Sequence, residues 1–277
     1  MENNTRPFIV FSGSMTHKGK VRQHNEDGIL CQEFTQIFND SISYFGFYAV
    51  TDGVGGHECG EVASRMALET LANHMMDSPL RLFSRFPHNS LLSQAAIKQK
   101  LVDGVCKANK KVYAAAQANS NMMGTTLATA LIIDRMAYIA NIGDSRVYLM
   151  HGNSLNQITT DHSFVGELVA AGKITREDIY THPNRNIITR YVGMEEDVSP
   201  DLFVQKLGHG DILLLCSDGL WEMVRDEDIK SVIKESLDPD TICTKLVNMA
   251  NANGGMDNIS AVVVMALSDY VRVWSGR

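Results

Sequence analysis

The stretch LATALIIDRMAYIANIGDSRVYLMHGN, Leu127–Asn153, decides the fold class. It holds three short apolar runs, Leu127–Ile133, Met136–Ile142 and Arg146–Met150, each of which reads as a β-strand. The breaks at Asp134-Arg135 and at His151-Gly152-Asn153 have the composition of hairpin turns. Strands that follow one another through tight turns pair antiparallel. Working outward, Phe8–Ser14, Phe45–Val50, Asp211–Cys216 and Ser260–Leu267 are further strand candidates. Between the second and third strands lie two helical patterns. Glu61–Met76 carries a stripe of Val62/Ala63, Met66/Ala67, Leu71 and Met75, and Leu91–Ala118 repeats at Val102, Val105, Ala108 and Val112. A second pair, Asp226–Ser236 and Asp240–Asn251, follows the strand at Asp211, with Pro239 placed for a helix start. The expected class is therefore α+β, a largely antiparallel sheet structure whose outer faces are covered by amphipathic helix pairs.

The chain of 277 residues is 44% hydrophobic and 21% charged, enough to bury a substantial core. No internal repeat or Pro/Ser-rich linker divides it, so one domain spanning 1–277 is the expectation. The polar segment Asp161–Asn186, interrupted by Gly166, Gly172 and Pro183, is expected to be a surface flap with a short helix. No apolar run approaches the ~20 residues of a membrane span, and the N-terminus lacks the basic start and apolar core of a secretory signal. Cys31, Cys59, Cys106, Cys216 and Cys243 are odd in number and without CxxC spacing, which suits reduced thiols and a cytoplasmic setting. The chain has 14 methionines, and Met at helical spacing reads as core filler rather than a cofactor box. Net charge is −7 with no Lys/Arg-rich run, which argues against a nucleic-acid partner. An acidic protein that handles anionic phosphate must invert its field locally, and bound cations do that.

Aspartates stand at strand ends. Asp52 closes YFGFYAVTDG, Asp144 closes AYIANIGDS and Asp218 closes ILLLCSDG. Asp257 precedes ISAVVVMAL, and Asp27, in VRQHNEDG, closes the loop after the first strand. A carboxylate at a sheet rim next to glycine offers a hard oxygen donor beside a backbone carbonyl that can turn inward, the ligand type of Mg²⁺ and Mn²⁺. Singly, an Asp-Gly at a strand end is a turn, and a lone His57 after two glycines is more often a loop contact than a ligand. Five such aspartates point to a metal site, though spacing alone does not show that they converge.

The surrounding motifs run in a recognisable order: GKVRQHNEDG (Gly19–Gly28), TDGVGGHECGEVAS (Thr51–Ser64), GTTLATALI (Gly124–Ile132), NIGDSRVYLM (Asn141–Met150), CSDGLWEMV (Cys216–Val224) and DNISAVVV (Asp257–Val264). The series resembles the metal-dependent PPM, or protein phosphatase 2C-like, family in its bacterial form, from about Phe11 to Ala266. The resemblance implies a four-layer α-β-β-α sandwich of two antiparallel sheets flanked by helix pairs. It also implies a phosphoserine/phosphothreonine phosphatase that uses a metal-activated water. Carried over, Asp52 is the carboxylate bridging two tight metals, with the Gly53 carbonyl on the second, and Asp218 and Asp257 are ligands of the first. Asp27 and Glu26 stand beside the centre, acting through water, and Asp144 serves a third, weaker metal. Arg22 grips the substrate phosphate. Secondary positions are His57, Asn258 and, near the end of the flap in THPNRNIITRYVG, His182. The implied cofactor is Mn²⁺ or Mg²⁺, and the implied partners are a phosphorylated protein and a cognate Ser/Thr kinase or its targets, in signalling. Family members with the animal-type motif carry His directly after the Asp-Gly. Val54 stands there in this chain, so the general acid is left open. The stretch Asp77–Ser93 is longer than in minimal bacterial members.

Two rival readings belong to other classes. A phosphoprotein-binding pseudophosphatase would need a broken ligand set, whereas Asp52, Asp218 and Asp257 are all present. A metal-dependent nuclease would want a basic groove, which the acidic balance opposes.

Overall fold

Ile212–Cys216 reads ILLLC and Ile259–Ser268 begins ISAVVVMAL, so neither strand has an apolar face and a wet face. Side chains alternate across a strand, and such sequences are stable only when both faces of the sheet are covered. The computed structural model, which describes residues 8–38, 41–55, 58–76, 93–119 and 122–268, meets that demand with four layers. One sheet has the order β1-β12-β11-β8-β9, formed by Phe8–His17 (β1), Ile259–Ser268 (β12), Ile212–Cys216 (β11), Arg146–His151 (β8) and Ser154–Gln157 (β9). The other has the order β10-β7-β6-β3-β2, formed by Asp201–Lys206 (β10), Met136–Ile142 (β7), Leu127–Ile133 (β6), Ser41–Thr51 (β3) and Gly28–Phe38 (β2). All pairings within both sheets are antiparallel. A two-stranded ribbon, Gly53–Val54 (β4) with Gly124–Thr125 (β5), links the rim of the second sheet to the helices.

Between the sheets, Tyr48, Val50, Ile132, Ile139, Leu213, Leu215, Val262 and Val264 form the inner core. On the outer face of the second sheet, Phe45, Phe47 and Leu131 meet Leu71, Leu101 and Val105 of helices Glu58–Met76 (α1) and Gln94–Asn119 (α2). On the outer face of the first sheet, Leu214, Cys216 and Val263 meet Trp221, Ile229, Ile242 and Leu246 of helices Asp218–Trp221 (α4), Asp226–Lys234 (α5) and Pro239–Ala252 (α6). Each fully buried Leu, Ile or Val contributes ~1.5–3 kcal/mol. A one-residue slip of β11 or β12 would exchange the inner and outer sets, which fixes their register. The last helix starts as its sequence requires: Pro239 occupies its first turn and Asp238 accepts from the Thr241 N–H.

The expected strands and both helix pairs are present, with β1 and β3 longer than anticipated and with β2, β9 and β10 in addition. Asp161–Asn186 forms a short helix, Phe164–Ala170 (α3), and a 3₁₀ turn, Glu177–Thr181. This segment is anchored rather than merely laid on the surface. Val165 and Ile179 are buried, and beyond the flap Val192 bridges to Thr125. Asn109 of α2 accepts from Gly193 N–H and donates to the Glu195 and Glu196 carbonyls. The 77–92 stretch and His57 lie outside the described residues.

Candidate active site

Each carboxylate is delivered to one end of the sandwich by a different element. Asp52 follows β3, and its backbone is tied to the start of β6. Its N–H donates to Thr126 Oγ1 at 3.0 Å, while its carbonyl accepts from Thr126 N–H at 2.8 Å and Thr125 Oγ1 at 2.9 Å. With the main chain so fixed, the side chain is left for the site. Gly53 comes next because a Cβ there would collide with the Gly60 backbone of α1. Asp218 opens α4 directly after β11. Asp144 sits in the β7–β8 turn, and Asp27 ends the loop before β2, where Ser217 Oγ donates to its Oδ2 at 2.7 Å.

Asn258 builds the floor under the first loop. It is buried, accepts from the Glu26 N–H at 2.8 Å, and donates to the Lys18 and His24 carbonyls. This brings Arg22 against Asp257: guanidinium Nη2 donates to Asp257 Oδ2 at 2.7 Å, and the Asp257 Oδ1 accepts its neighbour's N–H at 2.8 Å. The side chains of Arg22 and Asp257 are 55% and 33% exposed, so the pair faces the opening.

Burial and mutual repulsion dominate the electrostatics. Desolvation, then the charge of Asp218, holds the Asp52 carboxyl well above the ordinary range, and the same two causes do so for Asp144. Burial pushes Asp27 up to about 7 and, with repulsion from Asp257, Asp218 up to about 6. One oxygen on each of Asp27, Asp144 and Asp218 has no hydrogen-bond donor although it is buried. Among the described residues no three acidic, imidazole or thiol groups close into a ready-made cage. Asp218 is instead the common neighbour, its charge felt by Asp27, Asp52 and Asp144 while it feels that of Asp257, and buried anions so coupled suit divalent cations.

The structure thus brings Asp27, Asp52, Asp144, Asp218 and Asp257 within reach of one another's fields, with Arg22, Glu26 and Asn258 at the edge. His182 packs elsewhere, in the flap, with its ring 5.9 Å from Phe164 and its Nδ1 accepting from Asn184 N–H. Sequence reading missed Glu222, four positions after Asp218 on the same helical turn. Its carboxyl is raised to about 7 by burial and by Asp218, and it lies 3.7 Å from Arg185 of the flap. The spacing Asp218-x-x-x-Glu222, which puts both acids on one side of a helix, was its available signal.

The sequence model of the family described as Protein phosphatase 2C matches residues 22–262. The serine/threonine phosphatase stp of Listeria welshimeri is 37% identical over 253 residues, covering 90% of this chain and 93% of that one. Among solved structures, serine/threonine phosphatase Stp1 from Staphylococcus aureus superposes with a TM-score of 0.77 at 35% identity, covering 94% of this chain and 96% of its own. The catalytic domain of the phosphatase PstP, in complex with 2 manganese ions, does so with a TM-score of 0.74 at 31% identity, covering 94% and 100%.

Proposed function

The chain belongs to the protein phosphatase 2C family, and from that premise we propose which of its residues carry the reaction. It is a metal-dependent protein serine/threonine phosphatase acting on phosphorylated proteins. The observation that carries the residue assignment is the set of buried carboxylates with its unpartnered oxygens on Asp27, Asp144 and Asp218. A fold that gathers so many buried carboxylates balances them with protons or with cations, and near neutral pH divalent cations serve. Asp52, the Gly53 carbonyl, Asp218 and Asp257 would hold two tight Mn²⁺ or Mg²⁺ ions and Asp144 a third, weaker one, with Asp27 and Glu26 standing beside them. When bound, the cations supply Lewis acidity and a water-derived nucleophile near neutral pH.

The chain's own residues do the rest. Arg22, paired on one guanidinium nitrogen with Asp257, presents a planar donor fork to the phosphoryl oxygens at the mouth of the site. Asn258 holds the loop that carries Arg22, Glu26 and Asp27 in register with β12. Burial pushes the Cys216 and Cys243 thiols up, that of Cys243 to about 12, so neither offers a thiolate nucleophile, and direct attack by water is the supported route. Residues 1–277 form one domain with the flap at about 161–186. The substrates are targets of a cognate Ser/Thr kinase, or that kinase itself, in cytoplasmic signalling. Among the described residues no helix is long and apolar enough to cross a membrane.

The decisive test offers the protein a phosphopeptide, a small aryl phosphate and a phosphodiester, each with chelator, with Mn²⁺ and with Mg²⁺. Turnover of the two monoesters that needs added metal is expected. Full activity under chelation would sink the metal assignment, preferred cleavage of the diester would make the protein a nuclease, and phosphopeptide binding without turnover would make it a pseudophosphatase.

A further inference from the structure

The turn that carries Asp144 is fastened from outside at every residue. Gly143 has φ +103°, and a Cβ there would strike Thr126. Its N–H donates to His162 Nδ1 at 3.0 Å, and its carbonyl accepts the His162 backbone N–H at 2.9 Å. The Asp144 carbonyl accepts the Trp221 Nε1–H at 3.0 Å. Ser145 Oγ meets Thr126 Oγ1 at 2.7 Å, the same hydroxyl that receives the Asp52 N–H. Arg146 is buried in a fork on Asp161, at 2.6–3.1 Å, and stacks 3.5 Å from the Trp221 ring centre. Asp161 and His162 are the first residues of the flap, so the root of the flap and the Asp144 turn are one bonded unit.

The Asp144 carboxylate itself has a buried oxygen with no donor. Its aim is therefore set by the backbone of the turn more than by a partner on the side chain. We propose that His162 is a positioning residue: it grips Gly143 on both sides and thereby aims the Asp144 carboxylate at a bound cation. Because the Gly143 N–H points at Nδ1, that nitrogen is an acceptor and the ring proton sits on Nε2, which lies 3.2 Å from Asp201 Oδ2 of β10. A side chain needed only to fill space would not have to present an acceptor there. The inference rests on the reading of Asp144 as a metal ligand.

Two amide substitutions separate the ends of the ring. His162→Asn puts an amide oxygen near the place of Nδ1 and keeps an acceptor for Gly143, while His162→Gln reaches toward Asp201 and leaves the Gly143 N–H without its partner. Mn²⁺ bound per chain is measured by equilibrium dialysis over a series of Mn²⁺ concentrations, alongside kcat and KM on p-nitrophenyl phosphate. Loss of a group that orients a ligand costs about 10–100-fold in metal affinity or activity. His162→Gln should raise the Mn²⁺ needed to fill the weakest site by that factor, with kcat at fixed Mn²⁺ falling, KM little changed and the tight sites still filled. His162→Asn should recover most of the loss. Equal loss in the two variants, or no shift in Mn²⁺ occupancy for His162→Gln, overturns the proposal. Should His162→Gln fail to fold, Trp221→Phe decides: it removes only the N–H on the Asp144 carbonyl and keeps a ring beneath Arg146, so unchanged Mn²⁺ occupancy refutes backbone aiming. Asp144→Ala, measured in parallel, separates the two ideas. If it leaves the weakest site intact, the Asp144 assignment itself fails. If it empties that site while His162→Gln does not weaken it, only the role of His162 fails.

Discussion

Stripping the metals should make this protein more stable in mild acid than near neutrality, the reverse of ordinary acid sensitivity. Asp27 titrates at about 7 in the fold, against 3.8 for a free aspartate, because burial penalises its charge. Between those values the folded chain holds a proton that the unfolded chain has lost. The folded state then binds more protons, so stability falls as pH rises through that window, and the penalty is complete above the folded pKa. At about 1.4 kcal/mol per pH unit, the interval for Asp27 corresponds to on the order of 4 kcal/mol. Asp218, at about 6, feels the same field, so the two contributions overlap rather than add. From about pH 5.5 to about pH 7 roughly half of that interval is crossed, on the order of 2 kcal/mol, which for a chain of this size is a melting shift on the order of 4 °C. Burial lowers the pKa values of His74 and His162, which pull the other way below about pH 6.5. The comparison that isolates the carboxylates is Asp218→Asn. In chelator, this variant should melt above wild type near neutral pH, and its melting temperature should depend less on pH. Thermal unfolding followed by circular dichroism from about pH 7.5 to about pH 5.5, with chelator and with saturating Mn²⁺, measures both effects. If metal-free Asp218→Asn were no more stable than metal-free wild type at neutral pH, burial and mutual repulsion of these carboxylates would not be what destabilises the metal-free fold.

Three further outcomes are expected. Asp52→Asn should lower turnover of a phosphopeptide by at least about 100-fold at saturating Mn²⁺, since it removes a charged ligand, and near wild-type rates would remove Asp52 from the centre. Arg22→Ala should raise KM more than it lowers kcat in steady-state assays, because the guanidinium grips phosphate in ground and transition states alike; a fall in kcat alone would place it on the transition state. Arg146→Ala should destabilise the fold by about 3–5 kcal/mol in urea titrations, because it leaves Asp161 charged and buried without its partner, and a loss under about 1 kcal/mol would contradict that geometry.

How much of this was legible depended on where the signal lay. The strands of Leu127–Met150 could be read because turn residues separate apolar runs of strand length. β2 could not: GILCQEFTQIF is an edge strand with Cys31, Glu33 and Phe34 exposed, so no burial pattern marks it. Asp52, Asp218 and Asp257 announced themselves by position, at strand ends beside small or polar neighbours. Their convergence did not, since it depends on pairings between remote segments, as when Arg22 reaches Asp257 across 235 positions. The flap was misjudged in degree for the same reason. Asp161, His162 and Ser163 look like a solvated run in sequence, yet all three are buried, because their partners Arg146 and Gly143 belong to another part of the chain.

The pairing of β1 with β12, Phe8 opposite Ser268 and His17 opposite Ile259, joins the first described strand to the last. Since β12 also lies between β1 and β11, the first sheet is split until that strand arrives. A chain emerging from the ribosome therefore carries Asp27, Asp52 and Asp144 well before it can seat β12 or place Asp257 beside Arg22. Until β12 is seated, Asp257 and its partner Arg22 stay apart, so the site is incomplete. Folding that waits on so distant a contact is slow relative to helix formation, leaving β11 and β1 as open edges that a chaperone or an early partner strand could meet first.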